Sequence, residues 1–269
     1  MTVLVNGEAG ATLSVLDPMV LRGDGCFEAA RVYGGACFRI DDHLDRLARS
    51  AVALEIELPS LDTIAGWCRA LAEELGTGVI RVLASAGPSG GQGERGTVVV
   101  FSEPLPEILE AYRLLPVVAP WHPAGEQWAL AGVKTLSYAP NMAASRQARA
   151  SSFDDALLLS KTGTMLEMPT STIVWVIDGV LETPALDLGI LASITRKAVL
   201  ELCERQDIRV SEGRFATERL ASADEVMMLS SIKEVRPVLA VGKRLFEPGP
   251  MTAMVGDAYS RLVAEELNC

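Results

Sequence analysis

Between Val3 and Ile40 apolar and polar positions alternate or run β-rich, and in CFEAARVYGGACFRI the pair Gly34-Gly35 separates two apolar runs. That is the pattern of an antiparallel hairpin. The period then changes. In DDHLDRLARSAVAL the residues Leu44, Leu47, Ala51 and Leu54 recur at helical spacing behind acidic residues, and SLDTIAGWCRALAEEL repeats the helical pattern after Ser60, an N-cap residue. Two strands follow, VIRVLASA and TVVVF, separated by GPSGGQGERG. The prolines of SEPLPEILEA then break any regular element. The pattern predicts a small domain over residues 1–103, a linker over 104–113 and a larger domain over 114–269.

In the second half RLLPVVA reads as a strand, residues 141–151 as a helix, and DDALLLS and TSTIVWVIDG as sheet on either side of a KTG turn. A helix over 194–205 opens after Ala192-Ser193, the strands EVMMLSS and EVRPVLAV follow, and a helix over 251–267 closes the pattern. The elements do not alternate regularly as βαβα, so the fold class is α+β with mixed sheet. No internal repeat or low-complexity tract is visible.

Composition narrows the classes. Hydrophobic residues make up 49% of the 269 positions, which excludes disorder, and no apolar run approaches the ~20 residues of a membrane span. The opening MTVLVNGEAG lacks the pattern of a secretory leader, so a cytoplasmic protein is expected. A net charge of −11, with basic residues interspersed among acids, disfavours a nucleic-acid partner. Cys26, Cys37, Cys68, Cys203 and Cys269 are odd in number and show neither CxxC nor Cys/His pairing. Reduced thiols are expected, without a disulfide framework or a metal site. With two histidines in the chain, acid–base work is expected to fall to lysine, carboxylates or a cofactor.

Lysine is the scarce cation: of 24 basic residues five are lysines, at 134, 161, 197, 233 and 243. Lys134, in AGVKTLSYAPNM, is the one with buried-looking neighbours, Val133 and Leu136. A lysine there is either a strand-end side chain reaching out to water or a catalytic amine, because a buried ammonium needs a partner or a use. Glu167 sits between apolar residues ahead of a strand, as a solvated edge residue or a functional acid. Ser193-Ile194-Thr195 opens a helix, as an ordinary N-cap or an anion cradle. Ser230-Ser231 ends a strand, as further anion ligands or a turn. Arg46, offset from the apolar stripe of its helix, either is solvated or reaches an anion. Lysine, carboxylate, arginine and two hydroxyl-rich cradles are together the set that pyridoxal 5′-phosphate needs.

The ordered blocks GDGCFEAARVY, HLDRL, VKTLSYAPN, DDALLL with GTMLE, STIVWV, ILASITR and LSSIKEVRPV resemble the class IV aminotransferase family of pyridoxal phosphate enzymes over nearly the whole chain. The resemblance implies a small N-terminal α/β domain, a larger C-terminal mixed domain, a cofactor in the cleft between them and a homodimer. It matches Lys134 to the lysine that carries the cofactor and Glu167 to the partner of the pyridine nitrogen. Arg46, Ile194, Thr195 and Ser231, with Ser230 beside it, match phosphate ligands, and Tyr138 matches a tyrosine touching the ring oxygen.

The family holds branched-chain and D-amino acid aminotransferases, (R)-amine transaminases and 4-amino-4-deoxychorismate lyases. Alternation places Phe27, Ala29 and Arg31 on one strand face, expected to line the substrate side. D-amino acid aminotransferases hold the substrate carboxylate with an arginine and a histidine after the strand matching RVLASA, where this chain has AGPSGGQG. That loop and GDGCFEAARV look more like the lyases, although lyases often carry Arg-Gly where this chain has Ala86-Gly87. The lyase reading implies release of pyruvate and 4-aminobenzoate, a folate precursor. A non-catalytic relative would lack the lysine or the glutamate; both are present.

Overall fold

The computed structural model describes residues 2–88 and 96–268. The chain divides into two compact units: residues 1–107, 133–138 and 263–269 form the first, and 108–132 with 139–262 the second. This differs from the division into 1–103, 104–113 and 114–269 in one respect that matters for the site. The lysine segment Val133–Tyr138 packs with the N-terminal residues, because its backbone pairs with β3. Sequence order alone gives no sign of that return.

In the first unit β1 (Val3–Val5), β2 (Glu8–Ala9), α1 (Pro18–Arg22), β3 (Cys26–Tyr33), β4 (Ala36–Cys37), α2 (Ile40–Ala53), α3 (Leu61–Leu75), β5 (Gly78–Ser85) and β6 (Thr97–Glu103) follow in order. The strands form an antiparallel sheet in the order β2-β1-β6-β5-β3-β4. The hairpin at Gly34-Gly35 is the one expected; both glycines have positive φ, which a β-carbon would strain. Helix α2 buries Leu44, Leu47 and Ala51 at helical spacing, and α3 buries Ile64, Cys68, Leu71 and Ala72 behind the Ser60 cap, whose side chain accepts the Thr63 N–H. These side chains meet Ala30, Val32, Ile80, Val82, Val98 and Val100 from the sheet in one core. Helix α1 falls inside a stretch read as β-rich. Its stop signals are nevertheless present, with Asp17 as N-cap, Pro18 in the first turn and Gly23 left-handed at the end.

The second unit contains β7 (Tyr112–Val118), α4 (Ala139–Ala150), β8 (Asp155–Leu159), β9 (Thr172–Ile177), β10 (Val180–Pro184), α5 (Ile194–Arg205), β11 (Val210–Gly213), β12 (Glu225–Ser230), β13 (Glu234–Val241) and β14 (Arg244–Leu245). Helix α6 (Pro250–Leu267) begins in this unit. The sheet runs β11-β10-β9-β12-β13-β7-β8, with β14 on β13. Its pairs are mixed: β10–β11, β13–β7 and β7–β8 are parallel and the others antiparallel. Every residue of β8, β9 and β12 is buried. Both faces of these strands are covered, which is why they read as continuous apolar runs rather than alternating ones. Leu157 and Leu159 join Trp175 and Met228 on one side, while Ala156 and Leu158 join Ala144 and Ala148 of α4 on the other.

Cys26, Cys37, Cys68 and Cys203 are free and buried, and burial pushes the first three thiols up to about 12 and Cys203 to about 11. They are inert as nucleophiles. Cys269 lies outside the described residues. Among those residues no helix is long and apolar enough to cross a membrane.

At Gly25 the chain passes so close to β5 that an added Cβ would run into the Ala84 carbonyl, while the Gly25 carbonyl accepts the Leu136 N–H at 2.8 Å. The glycine thus lets the lysine segment close on the start of β3. Gly25→Ala is expected to cost ~1–3 kcal/mol of stability, in the range of an overpacked site. Equilibrium urea unfolding checks it, and an unchanged midpoint would show that the backbone yields.

Candidate active site

The lysine segment lies along the first residues of β3. The Phe27 N–H donates to the Lys134 carbonyl at 3.0 Å, Thr135 bridges Cys26, and the Lys134 N–H donates to Ser50 Oγ of α2 at 3.3 Å. The side chain is therefore launched from a backbone held at three points. Its Nζ lies 4.1 Å from the centroid of the Phe27 ring and 5.8 Å from that of Tyr138, and the two rings meet edge to face at 5.4 Å. Lys134 is half-buried rather than buried. Aromatic faces attract its ammonium and leave part of it open to solvent. Lys161, Lys197 and Lys243 are exposed.

Strand β3 has a strict two-residue burial rhythm. Phe27, Ala29 and Arg31 share the half-buried face, as alternation requires, with the Arg31 guanidinium 4.8 Å from the centroid of the Tyr33 ring. The other face belongs to the core and carries Glu28, 1% exposed. A buried carboxylate there would be costly alone. Three donors meet it: Arg46 Nε at 2.8 Å, Arg46 Nη2 at 2.7 Å and His43 Nδ1 at 2.7 Å, all from α2. Arg46 is thus buried and ion-paired, which removes the solvated reading of that residue. Burial pushes the Glu28 carboxyl up, but Arg46 and His43 outweigh it and hold it at about 2. Burial holds His43 below its ordinary value, against the pull of Glu28.

In the second unit Glu167 lies in the segment returning alongside β8, where the Leu158 N–H donates to its backbone carbonyl at 2.9 Å. Its side chain is 16% exposed, and Oε2 accepts the Leu191 N–H at 3.1 Å while Oε1 stands 3.7 Å from His122 Nε2. The solvated-edge reading of Glu167 therefore fails. Ser193 caps α5 by accepting the Arg196 N–H at 3.2 Å, and Ile194 and Thr195 follow as its first residues, where helix N–H groups have no partner in the helix itself. Thr195 is fully buried, and its Oγ1 has no hydrogen-bond partner among the described residues. Ser230 ends β12 and accepts the Lys233 N–H at 3.0 Å, so it does mark a turn, and Ser231 stands next in that turn.

Each unit thus carries part of the expected set: Lys134, Tyr138, Arg46 and the Phe27–Arg31 face in the first, and Glu167, Ile194, Thr195, Ser230 and Ser231 in the second. The chemistry of this set fits pyridoxal 5′-phosphate, and the orphaned Thr195 hydroxyl beside open helix N–H groups suits an anion. Sequence reasoning did not single out Glu28, His43 or His122. The alternation of β3 held a signal for Glu28, the one acid on its core face. The pairing of both histidines with carboxylates has none, because it is made in three dimensions.

Residues 25–241 match the family model for amino-transferase class IV. The chain belongs to the class IV aminotransferase family. The cofactor of this family is pyridoxal 5′-phosphate. A D-alanine aminotransferase of Listeria innocua is 30% identical over 96% of this chain and 95% of its own, and an aminodeoxychorismate lyase of Bacillus subtilis is 28% identical over 87% and 85%. Among solved structures a branched-chain aminotransferase of Thermoproteus uzoniensis with norvaline matches with a TM-score of 0.88 and 27% identity, over 98% of this chain and 95% of that one. Class IV members of three specificities are thus similar to this chain.

Two predictions follow from the site's own energetics. A group held at about 2 when folded and near 4.5 when unfolded adds stability that is complete above pH 4.5 and is lost as pH falls toward 2. The depressed His43 value adds a loss beginning as pH falls below 6.5, where the unfolded histidine takes up a proton. Glu28→Gln should lower stability by ~3–5 kcal/mol at neutral pH and flatten the pH 4.5 to 2 limb of unfolding curves. An unaltered acid limb would show that another carboxylate governs it. Thr195→Val, which removes an unpaired hydroxyl at constant shape, should leave the protein without cofactor as stable or up to ~1 kcal/mol more so. It should also weaken cofactor binding ~10- to 100-fold, the range for a hydrogen bond to a charged group. Lower stability with unchanged affinity would make Thr195 a structural residue only.

Proposed function

We propose that this enzyme releases pyruvate from 4-amino-4-deoxychorismate to give 4-aminobenzoate, acting as a homodimer in the cytoplasm. The observation carrying this reading is the distribution of cations. Arg31 stands on the Phe27–Ala29 strand face, four residues beyond the ring under the Lys134 amine, roughly 13 Å along the strand. The connection from β5 to β6 holds neither arginine nor histidine from Ala86 to Gly93 and one arginine, Arg95, just before β6, and its residues 89–95 lie outside the described ones. An amino acid undergoing transamination carries its carboxylate on the reacting carbon. In aminodeoxychorismate the amine-bearing carbon has none, and both carboxylates are remote from it. A distant cation, with neither arginine nor histidine directly after β5, suits the second substrate. Exposed Val15, Leu16, Val20 and Leu21 around α1 support association with a second copy.

Bound pyridoxal phosphate supplies the carbonyl that takes up the substrate amine and the sink for the electrons released at the neighbouring carbon. Lys134, as free amine, takes the proton from the amine-bearing carbon, and Glu167 holds the proton on the pyridine nitrogen. Thr195, Ser231, the first N–H groups of α5 and Arg46 hold the phosphate. The ring carbon–oxygen bond breaks, the departing enolate takes up a proton and leaves as pyruvate, and the ring becomes aromatic. Phe27 and Tyr138 flank the amine. A transaminase of D-amino acids or branched-chain amino acids is the second reading, favoured by the relatives of those specificities.

Supplying aminodeoxychorismate should give pyruvate and 4-aminobenzoate in equal amounts, with little keto acid formed from D-alanine or a branched-chain amino acid and 2-oxoglutarate. Efficient conversion of either amino acid without 4-aminobenzoate would establish the transaminase instead. Borohydride reduction and peptide mapping should place the cofactor on Lys134, and Lys134→Ala should abolish both label and turnover. A label on Lys233 or Lys197 would overturn the assignment.

A further inference from the structure

We infer that His122 is a positioning residue that holds the Glu167 carboxylate for the cofactor's pyridine nitrogen, an inference that rests on the role proposed for Glu167. His122 follows the end of β7 in a turn fixed by its own backbone: its N–H donates to the Ala119 carbonyl at 3.0 Å, and the Ala119 N–H donates to the Leu159 carbonyl at 2.8 Å. The ring is nearly enclosed, with 9% of the side chain exposed. Its Nδ1 accepts the Ala124 N–H at 3.0 Å. A nitrogen that accepts from an amide carries no proton, so the neutral ring carries its hydrogen on Nε2. That nitrogen faces Glu167 Oε1 at 3.7 Å, while the other carboxylate oxygen is held by the Leu191 N–H at 3.1 Å.

The two donors approach different oxygens from two chain segments, and together they fix the plane of the carboxylate. At 3.7 Å the histidine acts as an electrostatic restraint rather than a full hydrogen bond, so its removal has a modest effect. Glutamate otherwise spends rotamer freedom when it engages a partner, and a carboxylate already oriented binds that partner more tightly. The Ala124 contact fixes the tautomer, and the tautomer decides that a donor faces the acid.

The two nitrogens separate the roles. In His122→Asn the amide oxygen replaces Nδ1 and keeps the Ala124 bond, but nothing faces Glu167. In His122→Gln the amide nitrogen replaces Nε2 and restores the donor. Cofactor dissociation constants by fluorescence should be about two- to tenfold weaker for His122→Asn and close to wild type for His122→Gln. On a Glu167→Gln background the difference between the two variants should vanish. In the protein without cofactor, nitrogen-15 NMR of the ring should show the Nε2–H form for His122, assigned by its loss in either variant. Wild-type affinity in His122→Asn, or an Nδ1–H ring, would overturn the inference while leaving the role of Glu167 intact. Failure of the wild-type protein to bind pyridoxal phosphate would overturn both.

Discussion

The buried Glu28 carboxylate is the constraint on which the lysine side of the site depends. It stands on the core face of β3, where the rhythm of the strand calls for an apolar residue, and two side chains of α2 answer it with three donors. An acid in that position costs several kcal/mol unless it is ionised and fully paired, so the register of α2 on β3 is set by the need to bring His43 and Arg46 to it. Ser50, on the same helix, then stands where it receives the Lys134 N–H. The position of the lysine backbone is thus tied through α2 to a charge pair on the opposite face of the strand.

The two faces of β3 divide the work. One is locked by charge and packing, and the other presents Phe27, Ala29 and Arg31. A slip of one residue would exchange the faces, burying Arg31 and exposing Glu28, so the charge pair also fixes which side chains meet the amine. Gly25 contributes at the start of the strand by letting the lysine segment approach. Function here rests on register more than on any single contact.

Much of this was legible in the sequence where the signal is local. Helix α5 was expected over residues 194–205 and begins and ends there, because Ser193 caps it and its apolar positions recur at helical spacing. Strands β9 and β12 announced themselves as apolar runs. The short helix α1 and the strand β10 were not singled out, the first because five residues give no period and the second because VLETP mixes classes within a buried element. The lysine itself was found by scarcity and by its flanks. That it packs with the N-terminal unit depends on a backbone bridge between residues far apart in the chain, which no periodicity encodes.

The two histidines show where local reading ends. Their scarcity suggested that acid–base chemistry lies elsewhere, and in the structure His43 is buried, His122 is nearly enclosed, and each faces a carboxylate. The two contacts differ in kind. His43 donates to Glu28 at full hydrogen-bond length inside an ion pair that organises the core, whereas His122 faces Glu167 at a longer distance, with its tautomer fixed by a backbone amide. The first geometry suits permanence. The second leaves the carboxylate able to accept a further donor. In both places histidine serves this chain as a holder of acids.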